Sequence, residues 1–400
     1  MELIDAFQAL FYIFIVATVT PLLAALFRGF VPGVVVLLLG GVLIGPELLG
    51  LADPVPVALI GNLGLGFLFL LAGFELDAML MRSQPGRLAL IAWGITIVLS
   101  LMVVGLLEVI GQVKAFVPVA IALTTTALGT LLPMLKEQNM LASRLGRYIF
   151  AAGTVGELGP ILAIALFLGA NETWVQLLAI VAVAIVVWAL TQIPRFVRGN
   201  VIGRTVLANE NATSQATLRL TVLLLIALLL LTEELEIDIV LGAFLAGMVL
   251  RRWAPGDIHE LERKLEIVGH GIFIPVFFVW SGMKLDVDAI LDAPERTIAV
   301  FVLLLLVRGL PALFVYRGVL PMSERVQLMF LSATALPLLV AIAEIGQRDG
   351  VMLPSNAAAL VGGGVLSVAV FPLVAVLIRR RRPAPADATM TTLPIVTDER

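Results

Sequence analysis

The stretch LTTTALG (123–129) lies inside a long apolar run and is matched 208 positions later by LSATALP (331–337). Each copy places hydroxyl side chains beside a helix-breaking residue, Gly129 in the first and Pro337 in the second, near the middle of a membrane-length run. Proline removes a backbone donor and clashes with the preceding helical turn. We therefore expect a broken helix in each copy, with Pro133 as a further breaking residue in the first.

Two other pairs of segments repeat at nearly the same offset. FLFLLAGFELD (67–77) aligns with FFVWSGMKLD (277–286), and LLLGGVLI (37–44) aligns with AFLAGMVL (243–250). Three matches at a nearly constant offset indicate that the chain contains two copies of one structural unit.

The composition is that of a polytopic membrane protein. Of the 400 residues, 60% are hydrophobic and 14% are charged, whereas soluble domains are about 45–50% apolar even with glycine included. A helix needs about 20 residues to cross the hydrocarbon core. Thirteen runs fit, at approximately 4–27, 33–50, 56–79, 87–110, 116–136, 144–169, 173–195, 216–234, 237–252, 266–284, 297–316, 324–346 and 355–378. We predict an all-α membrane protein with about thirteen transmembrane helices.

Several function classes are disfavoured by the residue counts. The chain has no cysteine, which excludes a disulfide framework and a thiolate metal or redox centre. Its two histidines, His259 and His270, are eleven apart beside a polar loop, which is poor spacing for zinc. A net charge of −3 gives no indication of nucleic-acid binding. We expect no cofactor and no resident metal, and no nucleophile–base set indicates an enzyme.

Basic residues orient the predicted spans. With the N-terminus outside, nearly all Lys and Arg fall in inner loops and in the tail after the last span, as the positive-inside rule requires. Each copy then holds six spans, and one span (173–195) lies between them. This odd linker makes the copies cross in opposite directions. Inverted-topology repeats are common in secondary transporters, whose substrate sites lie near the midplane beside interrupted helices.

Two ionisable residues fall deep inside spans. Glu157 lies in AAGTVGELGPILA (151–163), and Arg308 lies in the eleventh run. A charge at the bilayer centre costs about 2.5–3.5 kcal/mol on insertion scales, so such residues are functional candidates. A structural ion pair between the two spans is the alternative. A carboxylate in a cavity can hold a proton or a metal cation, but not both at once, and that competition is sufficient for coupled exchange.

The hydroxyl side chains of the broken helices are candidate ligands for a transported ion. Broken helices at membrane depth persist where they line a cavity, and they offer carbonyls and dipole ends to an ion. Two ordinary kinked helices would be the simpler explanation. The predicted ion- and proton-binding residues are Glu157, Thr124, Thr125, Thr126, Ser332 and Thr334.

Longer segments of the chain resemble a known family. VPGVVVLLLGGVLIGP (31–46), LTTTALGTLLPMLKEQNML (123–141), SRLGRYIF (143–150), LGAFLAGMVL (241–250) and GIFIPVFFVWSGMKLD (271–286) resemble the monovalent cation:proton antiporter superfamily, in its Kef-type branch. The resemblance covers about residues 30–380. It implies a secondary transporter with two inverted repeats and two crossed broken helices, which moves by an elevator-like alternation of access.

The resemblance also implies which parts of the chain form the scaffold, core and linker helices. Scaffold helices that form a homodimer would lie in 1–80 and 216–290, and core helices in 87–170 and 296–379, with a linker helix at 173–195. By the same resemblance, Glu157 falls on the ion-carrying carboxylate and Arg308 on a coupling basic residue. Thr124 to Thr126 fall on the unwound part of the first broken helix.

This sequence departs from the family pattern at two places. The family usually carries two polar residues where this chain has Gly156 and Glu157, so one ligand is replaced by glycine. Kef-type members often add a cytosolic nucleotide-binding domain; we expect none here, with regulation absent or left to a separate protein, and a disordered cytoplasmic tail at 380–400.

The function that follows is exchange of H⁺ for Na⁺ or K⁺ across a bacterial inner membrane, with Glu157 as the shared carrier. Two alternatives stay open. One is a transporter of the same fold for another solute, such as an anion or organic acid near Arg308. The other is a non-transporting sensor or subunit.

Overall fold

The computed structural model describes residues 2–26, 32–76, 78–113, 115–137, 140, 143–168, 173–197, 216–253 and 258–381. Within these ranges the regular structure is helical throughout, without a β-strand, which confirms the predicted all-α class. Most of the predicted disordered tail, from residue 382 onward, lies outside the described residues. The polar connection at 198–215 lies outside them as well.

Nineteen α-helices follow one another along the described chain. The first half contains α1 (Glu2–Leu26), α2 (Gly33–Ile44), α3 (Ala58–Glu75), α4 (Ala78–Arg82), α5 (Gln84–Val109), α6 (Phe116–Ala122), α7 (Leu128–Glu137), α8 (Arg144–Phe167) and α9 (Thr173–Val197). The second half contains α10 (Ala216–Glu234), α11 (Ile239–Trp253), α12 (Ile258–Val268), α13 (Ile274–Met283), α14 (Val287–Asp292), α15 (Pro294–Leu303), α16 (Pro311–Val315), α17 (Met322–Ser332), α18 (Pro337–Arg348) and α19 (Pro354–Arg381).

Short turns of other helix types adjoin or join some of these elements. A 3₁₀ turn (Val55–Val57) leads into α3. Two π-helical turns, Gly269–Phe273 and Leu304–Gly309, join α12 to α13 and α15 to α16. Single π-helical turns inside α-helices occur frequently at functional sites, and the second of these turns contains the predicted coupling residue Arg308.

Helices occupy all thirteen predicted runs. Nine helical segments of the described chain are long and apolar enough to cross a membrane, and α2 is a shorter apolar helix. The run predicted at 33–50 ends early because Pro46 follows Gly45, and the residue before a proline is pushed out of the helical region. The count of thirteen crossings stays a prediction.

The two broken helices cross each other through their unwound segments. The first consists of α6 and α7, and the second of α17 and α18. The Ala127 amide donates to the Thr334 carbonyl at 2.8 Å, and the Thr126 hydroxyl donates to the Ser332 carbonyl at 2.6 Å. These contacts join residues about 200 positions apart, and they confirm the crossed broken helices that the family resemblance implied.

The first break lies before the two residues predicted to cause it. Gly129 and Pro133 are inside α7, and the non-helical residues precede them at 123–127, which includes the segment Thr124 to Thr126 that the family resemblance indicated. The hydroxyls of Thr124 and Thr125 end α6, since each donates to the carbonyl three residues before it and competes with continued helix. In the second copy, Pro337 is the first residue of α18, a position where a proline loses no helical hydrogen bond.

Close helix contacts follow the internal repeat. Gly41 on α2 meets the backbone of Val279 and Gly282 on α13, while Gly73 on α3 and Gly247 on α11 meet each other's helix backbones. The repeat aligns Gly41 with Gly247 and Gly73 with Gly282. The same contact is therefore made twice with the partners exchanged, which is the relation expected of two pseudo-symmetric copies.

Candidate functional site

Glu157 lies on α8 beside the crossing of the broken helices, and only 7% of its surface is exposed. Its Oε1 accepts a hydrogen bond from the Gly129 amide at 3.3 Å. Gly129 belongs to the first turn of α7, where backbone amides have no partner within the helix. A carboxylate in this position is stabilised by the positive end of the helix dipole, as anions are at helix N-termini.

Arg308 reaches the same region from the π-helical turn between α15 and α16. Its guanidinium is 2% exposed. Nε donates to the Thr126 hydroxyl at 2.9 Å, and Nη2 donates to the Ala152 carbonyl at 2.8 Å. Since Thr126 donates in turn to the Ser332 carbonyl, Arg308 joins α8 to both broken helices.

The structure explains why Gly156 precedes the carboxylate. A Cβ at this position would lie 2.5 Å from the Thr126 hydroxyl oxygen and 2.6 Å from Arg308 Nη2. The Gly156 carbonyl also accepts the Thr126 amide at 2.9 Å. The space that a second polar side chain would need is filled by the guanidinium and the threonine.

Glu157 and Arg308, both described with their side chains, do not form an ion pair in this structure. The carboxylate accepts from Gly129, and the guanidinium donates to Thr126 and Ala152. The two helices proposed to be linked by an ion pair are instead linked by a hydrogen bond from Arg308 to a backbone carbonyl.

The structure brings the predicted hydroxyl residues together at the crossing, all of them buried. Thr126 bonds across the crossing, whereas the other hydroxyls close their own helices. These are Thr124 to Ile121, Thr125 to Ala122, Ser332 to Met329 and Thr334 to Phe330, each to a carbonyl oxygen. The hydroxyl hydrogens are used in hydrogen bonds within the fold, so the oxygen lone pairs are the groups that could coordinate a cation. That these residues bind an ion stays a prediction.

Two participants were missed from the sequence. One is the Ala152 carbonyl, which a sequence does not single out. The other is Ser367 on α19, whose hydroxyl accepts from the Ala335 amide at 3.0 Å in the unwound segment of the second copy. The repeat offset of 208 aligns Gly156 with Gly364, three residues before Ser367, so extending the alignment would have pointed to it.

A possible metal-ligand group lies at the ends of α3 and α12. Glu75, Glu262 and Glu266 place one carboxylate oxygen each within 4.8 Å of one another. Among the residues that the structure describes, this group alone meets the spacing for a shared ion. Acidic groups of this kind are common without a metal, and the absence of a resident metal stays a prediction.

Most of the chain matches the model of one protein family. The model of the family described as sodium/hydrogen exchanger, transmembrane, matches residues 13–378. The putative Na(+)/H(+) antiporter YjbQ of Bacillus subtilis (strain 168) is 27% identical over 97% of this chain and 67% of its own length. Cation/H(+) antiporter 18 of Arabidopsis thaliana is 28% identical over 74% of this chain and 39% of its own.

A third relative is named for potassium. The glutathione-regulated potassium-efflux system protein KefC of Klebsiella pneumoniae subsp. pneumoniae is 26% identical over 93% of this chain and 60% of its own length. The chain thus spans between 39% and 67% of these curated relatives.

Solved structures show the same fold. The sodium proton antiporter MjNhaP1 from Methanocaldococcus jannaschii superposes with a TM-score of 0.62 and 16% identity, over 95% of this chain and 97% of that one. At this level of identity the likeness concerns the fold alone.

Proposed function

The chain belongs to the transmembrane sodium/hydrogen exchanger family, and from this premise we propose that it exchanges H⁺ for a monovalent cation, Na⁺ or K⁺. It is a multi-pass membrane protein of a transporter family. The observation that carries the proposal is the buried Glu157 carboxylate at the first turn of α7, beside two crossed broken helices. In transporters of this kind, half-helix ends and unwound carbonyls hold substrates and coupling ions at the midplane.

Glu157 acts as the shared carrier in this proposal. When ionised, the carboxylate accepts the Gly129 amide and faces the positive end of α7. A monovalent cation binds this ionised form, with oxygens of the unwound segments as further ligands. A proton converts the carboxylate to a neutral acid that no longer attracts the cation. Glu157 therefore carries the proton and the cation alternately.

Arg308 supplies a constant positive charge and holds the crossing together. Two of its donors are used by Thr126 and Ala152. The similarity to antiporters named for Na⁺, K⁺ or cations supports a cation rather than an anion or organic acid as the substrate. We therefore retain the cation exchanger over the anion transporter.

Alternating access would result from movement between two groups of helices. We propose a scaffold of residues 1–80 and 216–290 that forms a homodimer, a core of residues 87–170 and 296–379, and a linker helix at 173–195. The paired glycine contacts between α2 and α13 and between α3 and α11 support a rigid scaffold. We further propose a bacterial plasma-membrane location with the N-terminus outside, which is supported by the distribution of basic residues.

The test changes the charge and the length of the Glu157 side chain in separate variants. In everted vesicles or proteoliposomes, Glu157→Gln removes the titratable group with little change of shape, and we expect it to abolish cation-induced proton movement. Glu157→Asp keeps the carboxylate one methylene shorter and should retain part of the activity. Unchanged exchange in Glu157→Gln would show that another group carries the ions.

A further inference from the structure

A cavity of about 400 Å³ lies between the end of α13 and the helices α18 and α19, and none of its lining residues belongs to the Glu157 site. Its polar wall is formed by side chains from both helix groups. These are Ser281, Lys284, Asp286, Glu344, Gln347 and Arg348. Lys284 follows the last residue of α13, in the proposed scaffold, whereas Glu344 lies on the second half-helix of the proposed core.

An ammonium group already occupies one part of this cavity. Lys284 Nζ lies 2.6 Å from Glu344 Oε1 and 3.4 Å from the centroid of the Trp280 ring. A carboxylate on one side and an aromatic face on the other make a cation-binding environment, since cations are attracted to the negative face of aromatic rings.

Two further oxygens around the cavity are buried without a hydrogen-bond partner in the described chain. They are Glu344 Oε2 and the hydroxyl oxygen of Ser281, a residue that is 8% exposed. Leaving a buried polar atom unpaired costs about 1–3 kcal/mol, so such atoms indicate a ligand or an ordered water. Carboxylate and hydroxyl oxygens are suitable ligands for a small hard cation.

We propose that this cavity is a second cation-binding site, in which the Lys284 ammonium occupies the place of a free Na⁺ or K⁺ ion. The cation binds the Glu344 carboxylate with the Ser281 hydroxyl as an additional ligand. It enters when Lys284 withdraws or releases its proton to water. Because the Lys284–Glu344 pair joins the two helix groups, the exchange of ammonium for a free cation also opens one link between them.

The surroundings of Lys284 favour this exchange at higher pH. Burial lowers the pKa of the Lys284 ammonium, while the Glu344 carboxylate opposes that effect. Asp286 and Arg348 are the other charged groups on the cavity wall, and Arg348 is itself paired with Asp238 and Asp349. As Lys284 loses its proton, Glu344 is left as an uncompensated negative charge for a cation.

A cysteine reporter tests the site without measuring transport. The natural chain has no cysteine, so Gln347→Cys places a single thiol on the cavity wall of the full-length protein in nanodiscs. The rate of its reaction with a charged maleimide is measured in NaCl, in KCl and in N-methyl-D-glucamine chloride at equal ionic strength. A cation at ten times its Kd leaves about a tenth of the sites free, so labelling should slow about tenfold.

The background separates this site from the transport site. All labelling measurements on Gln347→Cys are repeated in a protein that also carries Glu157→Gln, in which the proposed carrier carboxylate is absent. We expect protection by Na⁺ or K⁺ to persist there, to disappear with Glu344→Gln and to remain with Glu295→Gln, a matched change of an exposed glutamate outside the cavity. Protection that requires Glu157, survives Glu344→Gln or fails to occur with either cation would overturn the proposal.

Lys284→Met provides a second test, in which cation binding should become tighter instead of being lost. It removes the competing ammonium and keeps most of the side-chain volume, so half-maximal protection should occur at a lower cation concentration and lose its dependence on pH. Weaker protection in Lys284→Met would show that Lys284 helps to bind the cation rather than competes with it, and would contradict the model.

Discussion

At the scale of single residues, Gly156 is the position whose role the structure clarifies most. From the sequence it is a departure from the family pattern, where a second polar residue is usual. In the structure, its missing side chain leaves room for the Thr126 hydroxyl and the Arg308 guanidinium. The glycine therefore allows the Arg308 guanidinium and the Thr126 hydroxyl to lie close to the backbone of α8.

Gly156→Ala tests this close approach. The added methyl group must displace Thr126 or Arg308, and overpacking of this kind costs about 1–3 kcal/mol. We expect a lower melting temperature in detergent and reduced exchange. The matched control is Gly94→Ala on α5, where a Cβ meets no atom within 4 Å and where alanine is favoured over glycine by about 1 kcal/mol in a helix. Equal melting temperatures for the two variants would contradict the steric account.

Asp238, at the start of α11, makes a second residue-level prediction. Burial raises its pKa to about 6, although the Val240 amide and Arg348 favour the ionised form. The folded chain thus binds this proton more tightly than the unfolded chain does, so the contribution of Asp238 to stability is present at low pH. It is lost as the pH rises from about 4 to about 6, and its size is on the order of 3 kcal/mol.

Asp238→Asn should remove this pH dependence. The amide keeps an oxygen for the Val240 amide but does not titrate. Melting temperatures measured across that pH interval should therefore fall less steeply with rising pH in the variant than in the unaltered chain. Parallel curves for the two proteins would show that Asp238 does not titrate in this interval.

Sequence reasoning found the charged residues of the site but not their contacts. Glu157 and Arg308 stand out because a charge inside a membrane span is costly. Their partners, the Gly129 amide and the Ala152 carbonyl, are backbone groups that every residue possesses. Only the approach of chain segments far apart in the sequence selects them, and no local pattern encodes that approach.

At the scale of elements, the crossing of the broken helices depends on Thr126. Its hydroxyl accepts from Arg308 and donates to the Ser332 carbonyl, so one side chain joins three helices. The repeat in the sequence predicted that the broken helices would be matched. It did not locate the first break, because hydroxyl bonds from Thr124 and Thr125 end α6 before Gly129 is reached.

Thr126→Val tests how much the Thr126 hydroxyl contributes to stability and exchange. Valine keeps the shape but leaves a buried donor of Arg308 and the Ser332 carbonyl without their partner, at a cost of about 1–3 kcal/mol. We expect a clear loss of thermal stability and of exchange. Thr96→Val on α5 is the matched control, because the Thr96 hydroxyl donates to the Ala92 carbonyl of its own helix rather than to another helix of the described chain. A Thr126→Val protein as stable as Thr96→Val would argue against the link.

At the scale of the whole molecule, the two copies share their architecture but not their chemistry. The repeat offset of 208 places Val365 at the position of Glu157 and Ser100 at the position of Arg308. Ser100 donates to the Ala120 carbonyl on α6 and Arg308 donates to the Thr126 hydroxyl, so both aligned positions bond to the first broken helix, one from its own copy and one from the other. Glu157 in the first copy and Arg308 in the second therefore have no ionisable counterpart in the other copy, which gives each chain one proposed transport site.

That single carboxylate has an electrical consequence. Of the residues described, two acids are buried, Glu157 and Asp238, and only the first lies at the crossing. Glu157 with a proton and Glu157 with Na⁺ or K⁺ have the same net charge, and Arg308 adds a constant. We therefore expect one-for-one exchange that moves no net charge across the bilayer.

A cycle that moved one elementary charge would gain or lose about 2.3 kcal/mol per 100 mV of membrane potential. The one-for-one cycle should be indifferent to it. In proteoliposomes clamped with an ionophore for an ion that is not transported, the ratio of cation and proton gradients at which net exchange stops should be the same at zero and at a large imposed potential. A stopping point that shifts with the potential would require net charge movement and therefore a second titrating group. With one carboxylate, the direction of exchange depends only on the concentration gradients of the cation and the proton. The membrane potential contributes nothing to the driving force.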